Sequence, residues 1–260
     1  MRRQVIRQGV VIATFILTIV VNALSTTLPL NGQTPAEISD RFPVLVTPAN
    51  YVFGIWSIIY IGLTVFVIYQ ALPSQRDNPL IKRISYLFAG VNLANAAWIF
   101  SWHYEYFALS VLIMLTLLAL LIAIYIRLDN RGKDLSRWQN WIIKAPFSIY
   151  LGWITVATIA NISTTLYDAG WNGFGFSDVT WAVIMLIVAG VVASILVLTR
   201  TDFLYAAVII WALVGIIAKQ SDTSAVVNTA AIMIIVIAVA LVTRFVGNWR
   251  VDHNLLTQHT

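Results

Sequence analysis

Eight stretches of this chain are long, apolar and nearly free of charge, and that pattern leaves few folds open. They cover residues 9–28, 51–72, 82–103, 106–127, 142–164, 179–199, 203–219 and 225–246. A helix needs roughly 20 mostly apolar residues to cross the hydrocarbon of a bilayer. Within lipid, only helices and closed barrels satisfy every backbone group. The expected fold class is therefore an all-α polytopic membrane protein with eight transmembrane helices, the seventh being the shortest. Composition agrees, since 60% of the 260 residues are hydrophobic and 10% are charged. A soluble domain is typically about a quarter charged.

Lys and Arg collect on the cytoplasmic side of membrane proteins. With the N-terminus inside, Arg2, Arg3, Arg7, Arg76, Lys82, Arg83, Arg127, Arg131, Lys133, Arg137, Lys144, Arg200, Arg244 and Arg250 all fall inside. That is 14 of the 16 basic residues, leaving Arg41 and Lys219 outside. A missed or invented span would reverse every later loop and destroy this split. Both termini are thus expected in the cytoplasm. The basic start and apolar run before "NALST" also resemble a signal peptide. The charge alternation holds with that run retained, so it is read as the first span.

Several classes of chemistry drop out. The chain has no Cys, which excludes disulfides, thiol catalysis and Cys-based metal sites. Its net charge of +5 is explained by topology, so nucleic acid is not expected as a partner. No Asp, Glu, Lys, Arg or His sits near the centre of a span, where such groups mark ion pathways and proton relays. Lys219, in "GIIAKQS", reads as a snorkelling lysine at a helix end, with no mid-span carboxylate to serve a Schiff base. No His pair or His/Glu cluster points to a metal. His103 and Glu105 form the outer turn between spans three and four.

The ten Trp residues fall into groups. Trp138, Trp141, Trp171, Trp181 and Trp249 lie near expected interfaces, where indoles prefer to sit. Trp56, Trp98, Trp153 and Trp211 lie deeper, and Trp102 is near an outer end. In "NLANAAWIFSW" (92–102), Asn92, Asn95, Trp98 and Trp102 follow spacings of 3, 3 and 4, which places them on one helix face. Span two carries Phe53, Trp56 and Tyr60, and span five carries Trp153 and Asn161. With the orientation above, three helices bring aromatics and amides to one depth in the outer half. Two readings of that constellation stay open. Asn can glue helices together, at about 0.6–2 kcal/mol per hydrogen bond. The same residues can instead line a cavity that orients a flat ligand.

The stretches "TPANYVFGIWSIIY" (47–60), "NLANAAWIFSW" (92–102) and "IYLGWITVATIAN" (149–161) also carry a family resemblance. Together they resemble the tryptophan-rich sensory protein (TspO/MBR) family, which includes the mitochondrial translocator protein. Asn95 and Trp98 match the family's N-x-x-W. Trp153 and Asn161 match its fifth-helix pair, and Trp56 and Tyr60 the end of its second-helix motif. The likeness covers about residues 9–167. The second-helix motif is one residue shorter here, Tyr51 stands where a Trp is usual, and three spans follow where the family's usual members end.

The resemblance implies a TspO-like five-helix bundle (1–167); the remaining spans form a three-helix C-terminal membrane extension (168–250), followed by a cytoplasmic tail (251–260). The resemblance also implies a cavity for a tetrapyrrole or sterol-like ligand under the first loop, with dimers common. That loop, about 29–50, contains Pro29, Pro35, Pro43 and Pro48 and is long, and long loops are often lids. Trp56, Trp98, Trp102 and Trp153 are expected to stack on the ligand, with Phe53 beside them. Asn92, Asn95, Asn161 and Tyr60 are expected to orient it. No cofactor is required, though a porphyrin or haem is the ligand the resemblance suggests.

Three functions follow as expectations. The first is a membrane sensor, scavenger or carrier of a planar hydrophobic molecule. The second is a secondary transporter with the extra helices as a gate. The last is a porphyrin-degrading activity, for which the spans offer no nucleophile, metal or acid/base pair. A bacterial inner or plasma membrane is the expected location, with the lipid bilayer and a second copy of the chain as partners. In the C-terminal spans, "VAGVVASI" (188–195) sets Ala189 over Ala193 and Gly190 over Ser194, spacing that allows close helix approach. Packing against the bundle is expected, with dimerisation as the alternative. The loop "YDAGWNGFGFSD" (167–178) reads as a flap or an interfacial anchor.

Overall fold

The computed structural model describes residues 2–28, 30–128 and 136–257, with backbone only for Arg137 and residues 248–257. Expectations resting on Pro29, Arg131, Lys133 and the side chains of Arg137, Trp249 and Arg250 lie outside the described part. Each expected span is helical: α1 (Arg2–Thr27), α3 (Ile55–Ala71), α4 (Pro79–His103), α5 (Phe107–Leu128), α7 (Ala145–Asp168), α8 (Asp178–Arg200), α9 (Phe203–Lys219) and α10 (Ser224–Thr257). Two short helices, α2 (Pro35–Asp40) and α6 (Arg137–Gln139), lie between them, and the described residues contain no strand. Seven of the long helices are long and apolar enough to span a membrane, while α9, at 17 residues, is the shorter apolar one. Residues 251–257, expected as a tail, continue α10.

Local chemistry fixes the helix ends. Asn78 caps α4 by accepting from Leu80 N–H at 3.0 Å, with Pro79 in the first turn, where its missing N–H costs nothing. Ser177 caps α8, and Asp202 caps α9 by accepting from Tyr205 N–H at 3.0 Å. Pro146 sits at the start of α7, and the helix before it widens to a π-helical turn over Asn140–Lys144. A proline removes an amide donor and crowds the preceding turn, so a wider turn there is the expected adjustment.

The chain divides into two compact units: Met1–Val44 with Phe53–Trp171, and Leu45–Val52 with Asn172–Thr260. The first is a closed ring. α1 packs on α4, α4 on α5, α5 on α7, α7 on α3, and α3 back on α1. Gly62 lets α3 close on Pro146 of α7, since a Cβ there would stand 3.3 Å from the proline ring. Half of the ring is plugged by Phe66, Phe88 and Phe147, whose rings meet edge to face 5.1–5.4 Å apart, with Phe15 against Phe88.

Polar side chains tie the ring at that end. Arg7 Nη2 donates to the Arg76 carbonyl at 2.8 Å, and Gln8 Nε2 to the Gln70 carbonyl at 2.6 Å. Arg127 Nη1 donates to the Arg83 carbonyl at 2.8 Å. Arg7, Arg76, Arg83 and Arg127, expected on one side of the membrane, therefore share one end of the ring.

The second unit is a three-helix cluster in which α8, α9 and α10 all pack on one another. Its small-residue stripe serves that packing. Gly190 faces Met233 of α10, and a Cβ at Gly190 would lie 2.7–2.9 Å from the methionine side chain. The stripe thus closes this unit's own interior, where packing on the five-helix bundle or on a second copy was expected. In the 167–178 loop, Trp181 Nε1 donates to the Gly173 carbonyl at 2.8 Å, while Phe174, at φ 52°, points to the surface.

Candidate ligand-binding site

The ring's other half holds the amides and indoles. On α3, Trp56 and Tyr60 are one turn apart and stack, with centroids 5.4 Å apart and planes 15° from parallel. Trp153 of α7 meets Trp56 edge-on at 6.1 Å, and Phe53 meets Trp153 at 5.6 Å. Tyr150, one turn before Trp153, meets Trp56 at 5.7 Å. Its hydroxyl accepts from Asn95 Nδ2 at 2.8 Å, and Asn95 Oδ1 accepts from Asn22 Nδ2 at 2.7 Å. Four helices, α1, α3, α4 and α7, therefore meet in one aromatic and amide group.

Two polar atoms in this group stand out. The Trp153 indole nitrogen and the Tyr60 hydroxyl are buried and make no well-formed hydrogen bond, although Asn95 lies beside Tyr60. A buried polar atom without a partner costs about 1–3 kcal/mol. Both sit against Trp56, which with Phe53 and Tyr60 is only part-buried.

A second group lies beside the first. Trp98 and Trp102 stack at 5.5 Å and 20°, and Phe107 of α5 closes on Trp102 edge-on at 5.2 Å. Trp98 Nε1 donates to Asn161 Oδ1 at 2.9 Å, and Asn161 Nδ2 donates to Ser110 Oγ at 2.8 Å. Here every indole and amide hydrogen bond is internal to the protein. Asn92 goes elsewhere: its Nδ2 donates to Thr14 Oγ1 at 3.2 Å, and its carbonyl accepts from Thr18 Oγ1 at 2.9 Å.

Helix rotation explains the separation. At about 100° per residue, Asn92 is turned by about 120° from Trp98, and Trp153 by about 80° from Asn161. Of the nine residues expected at the site, Phe53, Trp56, Tyr60, Asn95 and Trp153 form one group. Trp98, Trp102 and Asn161 form the second, and Asn92 ties α4 to α1.

The first loop covers this end of the ring. Trp102 Nε1 donates to the Pro35 carbonyl at 3.2 Å, and Asn31 Nδ2 to the His103 carbonyl at 3.0 Å. Arg41 pairs with Glu105 at 2.8 Å, and Phe42 meets Phe107 and Tyr167 edge-on at 5.3 and 6.2 Å. Asn31 and Gly32 turn the chain at positive φ, which both residues tolerate.

The short helix α2 is held by a capping box, in which the Glu37 carboxylate accepts from Thr34 N–H at 2.7 Å while Glu37 N–H donates back to Thr34 Oγ1 at 3.3 Å. The Thr34 amide holds the Glu37 carboxyl below its ordinary value of 4.5. A lowered folded value means that the cap is intact above the ordinary carboxylate range and is lost as pH falls through the lowered value. Protease cleavage within 30–44 should thus be flat from neutral pH down to the ordinary carboxylate range and rise below it, and Glu37→Gln should remove that rise.

Some residues of the two groups, and of the α1–α4 tie at Asn92, escaped the sequence reading, although signals for them exist. Thr14, Thr18 and Asn22 recur every four residues on α1, a polar stripe in an apolar helix. Tyr150 stands one turn before Trp153, and Ser110 one turn into α5. Among the described residues, no group of three or more His, Asp or Glu side chains is placed to hold a metal.

A family model described as TSPO-like protein matches residues 8–243. No curated protein and no solved structure matches the chain. The match extends past residue 167, where the motif likeness ends, through α8, α9 and most of α10, so it takes in the three C-terminal helices. Covering most of the chain, it shows that this integral membrane protein belongs to the TSPO-like protein family.

Proposed function

We propose that this protein binds a planar hydrophobic ligand, of tetrapyrrole or sterol-like class, within its five-helix ring, and acts as a sensor, scavenger or carrier. The observation that carries the reading is the pair of unpartnered donors, Trp153 Nε1 and Tyr60 Oη, set against the part-buried Trp56. A ligand's polar atoms would supply the partners that burial denies these two donors, and the aromatic rings around them would take its apolar faces. Trp56, Phe53 and Trp153 would contact the ligand's faces and edges, Tyr60 and Asn95 would fix its polar edge, and Trp98, Trp102 and Asn161 would form the wall. The Phe-filled half of the ring speaks for a closed site over an open channel.

The basic end, with Arg7, Arg76, Arg83 and Arg127, faces the cytoplasm in this reading. The membrane is a bacterial inner or plasma membrane, and the chain pairs as a homodimer. The test is quenching of intrinsic Trp fluorescence by protoporphyrin IX in detergent. Saturable quenching, displaced by a competing planar ligand, is expected. A linear, unsaturable response would remove the reading, and proteoliposome uptake of the same probe would then favour a transporter.

A further inference from the structure

The eight residues Leu45–Val52 lie between the lid and α3, yet they belong to the three-helix unit. There the segment is gripped by α9. Ala49 N–H donates to the Gly215 carbonyl at 3.0 Å, and Trp211 Nε1 donates to the Val52 carbonyl at 3.2 Å. The Tyr51 ring meets Trp211 edge-on at 5.4 Å. Val46, Thr47 and Val52 are buried. Gly215 has no room for a side chain: a Cβ there would run into Val52 Cγ2 and stand 3.1 Å from Pro48 Cβ. Glycine is the only residue that admits the strap this closely.

The strap is continuous with the ring on both sides. Toward the N-terminus it joins the lid, whose Phe42 and Arg41 rest on Phe107 and Glu105. Toward the C-terminus it joins Phe53, and three residues on Trp56, of the candidate site. Fixing both carbonyl and amide partners of the strap removes freedom from the chain segment that the lid needs in order to lift. We propose that the three C-terminal helices regulate access to the aromatic site, with α9 clamping the strap through Gly215 and Trp211 and so holding the lid closed. The regulated site is the one proposed above, and the inference rests on that reading.

The absence of Cys in the chain provides the test. Ser39 lies on the buried face of α2, so Ser39→Cys in full-length protein reports lid opening by its rate of maleimide labelling. In that background, Gly215→Ala forces Val52 away, and Trp211→Phe removes the indole donor while keeping a ring. Hydrogen exchange of the 45–52 peptide reports strap release separately. Both variants should speed exchange there and raise labelling by about tenfold, the effect of losing one or two contacts from a local opening equilibrium. Val52→Ala added to Gly215→Ala should bring both rates back toward the starting values. Gly9→Ala, at an open position on α1, should change neither.

Released straps with unchanged labelling would overturn the clamp, and so would unchanged exchange in both variants. Porphyrin association should accelerate in parallel with labelling. If labelling accelerates while no variant binds porphyrin, the ligand reading fails and the clamp on the lid stands.

Discussion

Replacing Trp56 by Ala is expected to weaken binding of protoporphyrin IX by roughly 30- to 100-fold, about 2–3 kcal/mol, while leaving the fold intact. Trp56 is part-buried, so its loss exposes little core. Its stacking partner Tyr60 and its edge partners Tyr150 and Trp153 remain held by their own helices. What disappears is the largest aromatic surface next to the two open donors, and a flat ligand draws most of its affinity from such a surface. Trp56→Phe should recover part of the loss. Fluorescence titration reads the affinity, and circular dichroism checks the helices. Equal affinity in Trp56→Ala would remove α3 from the site.

Trp98→Ala should have the opposite profile. This indole is buried, stacked on Trp102 and bonded to Asn161, and it joins α4 to α7. Truncating a buried Trp costs about 3–5 kcal/mol, and the Asn161 carbonyl oxygen would be left without its donor. The expected result is a large drop in stability, read from SDS-driven unfolding in mixed micelles. Trp98→Phe should cost less, since a ring still lies on Trp102. A variant Trp98→Ala as stable as the parent, but with weakened porphyrin binding, would move Trp98 from the wall to the ligand surface. The two tryptophans look alike in the sequence, and their hydrogen bonds separate them.

Much of the fold was legible because lipid leaves the backbone few choices. The eight apolar runs and their charge alternation point to the helices observed. The site was legible only in part. Spacings of three keep neighbouring residues close, but their rotations accumulate, so Asn92 ends on α1 while Trp98 ends on Asn161. Asn22 lies in a polar stripe on α1 and Tyr150 one turn before Trp153, but their shared partner Asn95 is on a different helix, which spacing within one helix does not announce. The strap was not legible at all. Trp211 and the Val52 carbonyl it holds are 159 residues apart, and nothing local in "VTPANYV" or "WALVG" announces the pairing. Even the small-residue stripe at Gly190 gave the tendency to pack closely without naming Met233 as the neighbour.

The most direct test of the central claim is fluorine NMR of the protein labelled with 5-fluorotryptophan, assigned by single Trp→Phe variants and titrated with protoporphyrin IX. The account predicts that the Trp56 and Trp153 resonances shift in a saturable way, Trp153 most strongly as its open N–H gains a partner. Trp138 and Trp141, which lie on the surface, should stay in place. Shifts confined to Trp138 and Trp141, with Trp56 and Trp153 unmoved, would contradict it and would place the probe on the outside of the protein.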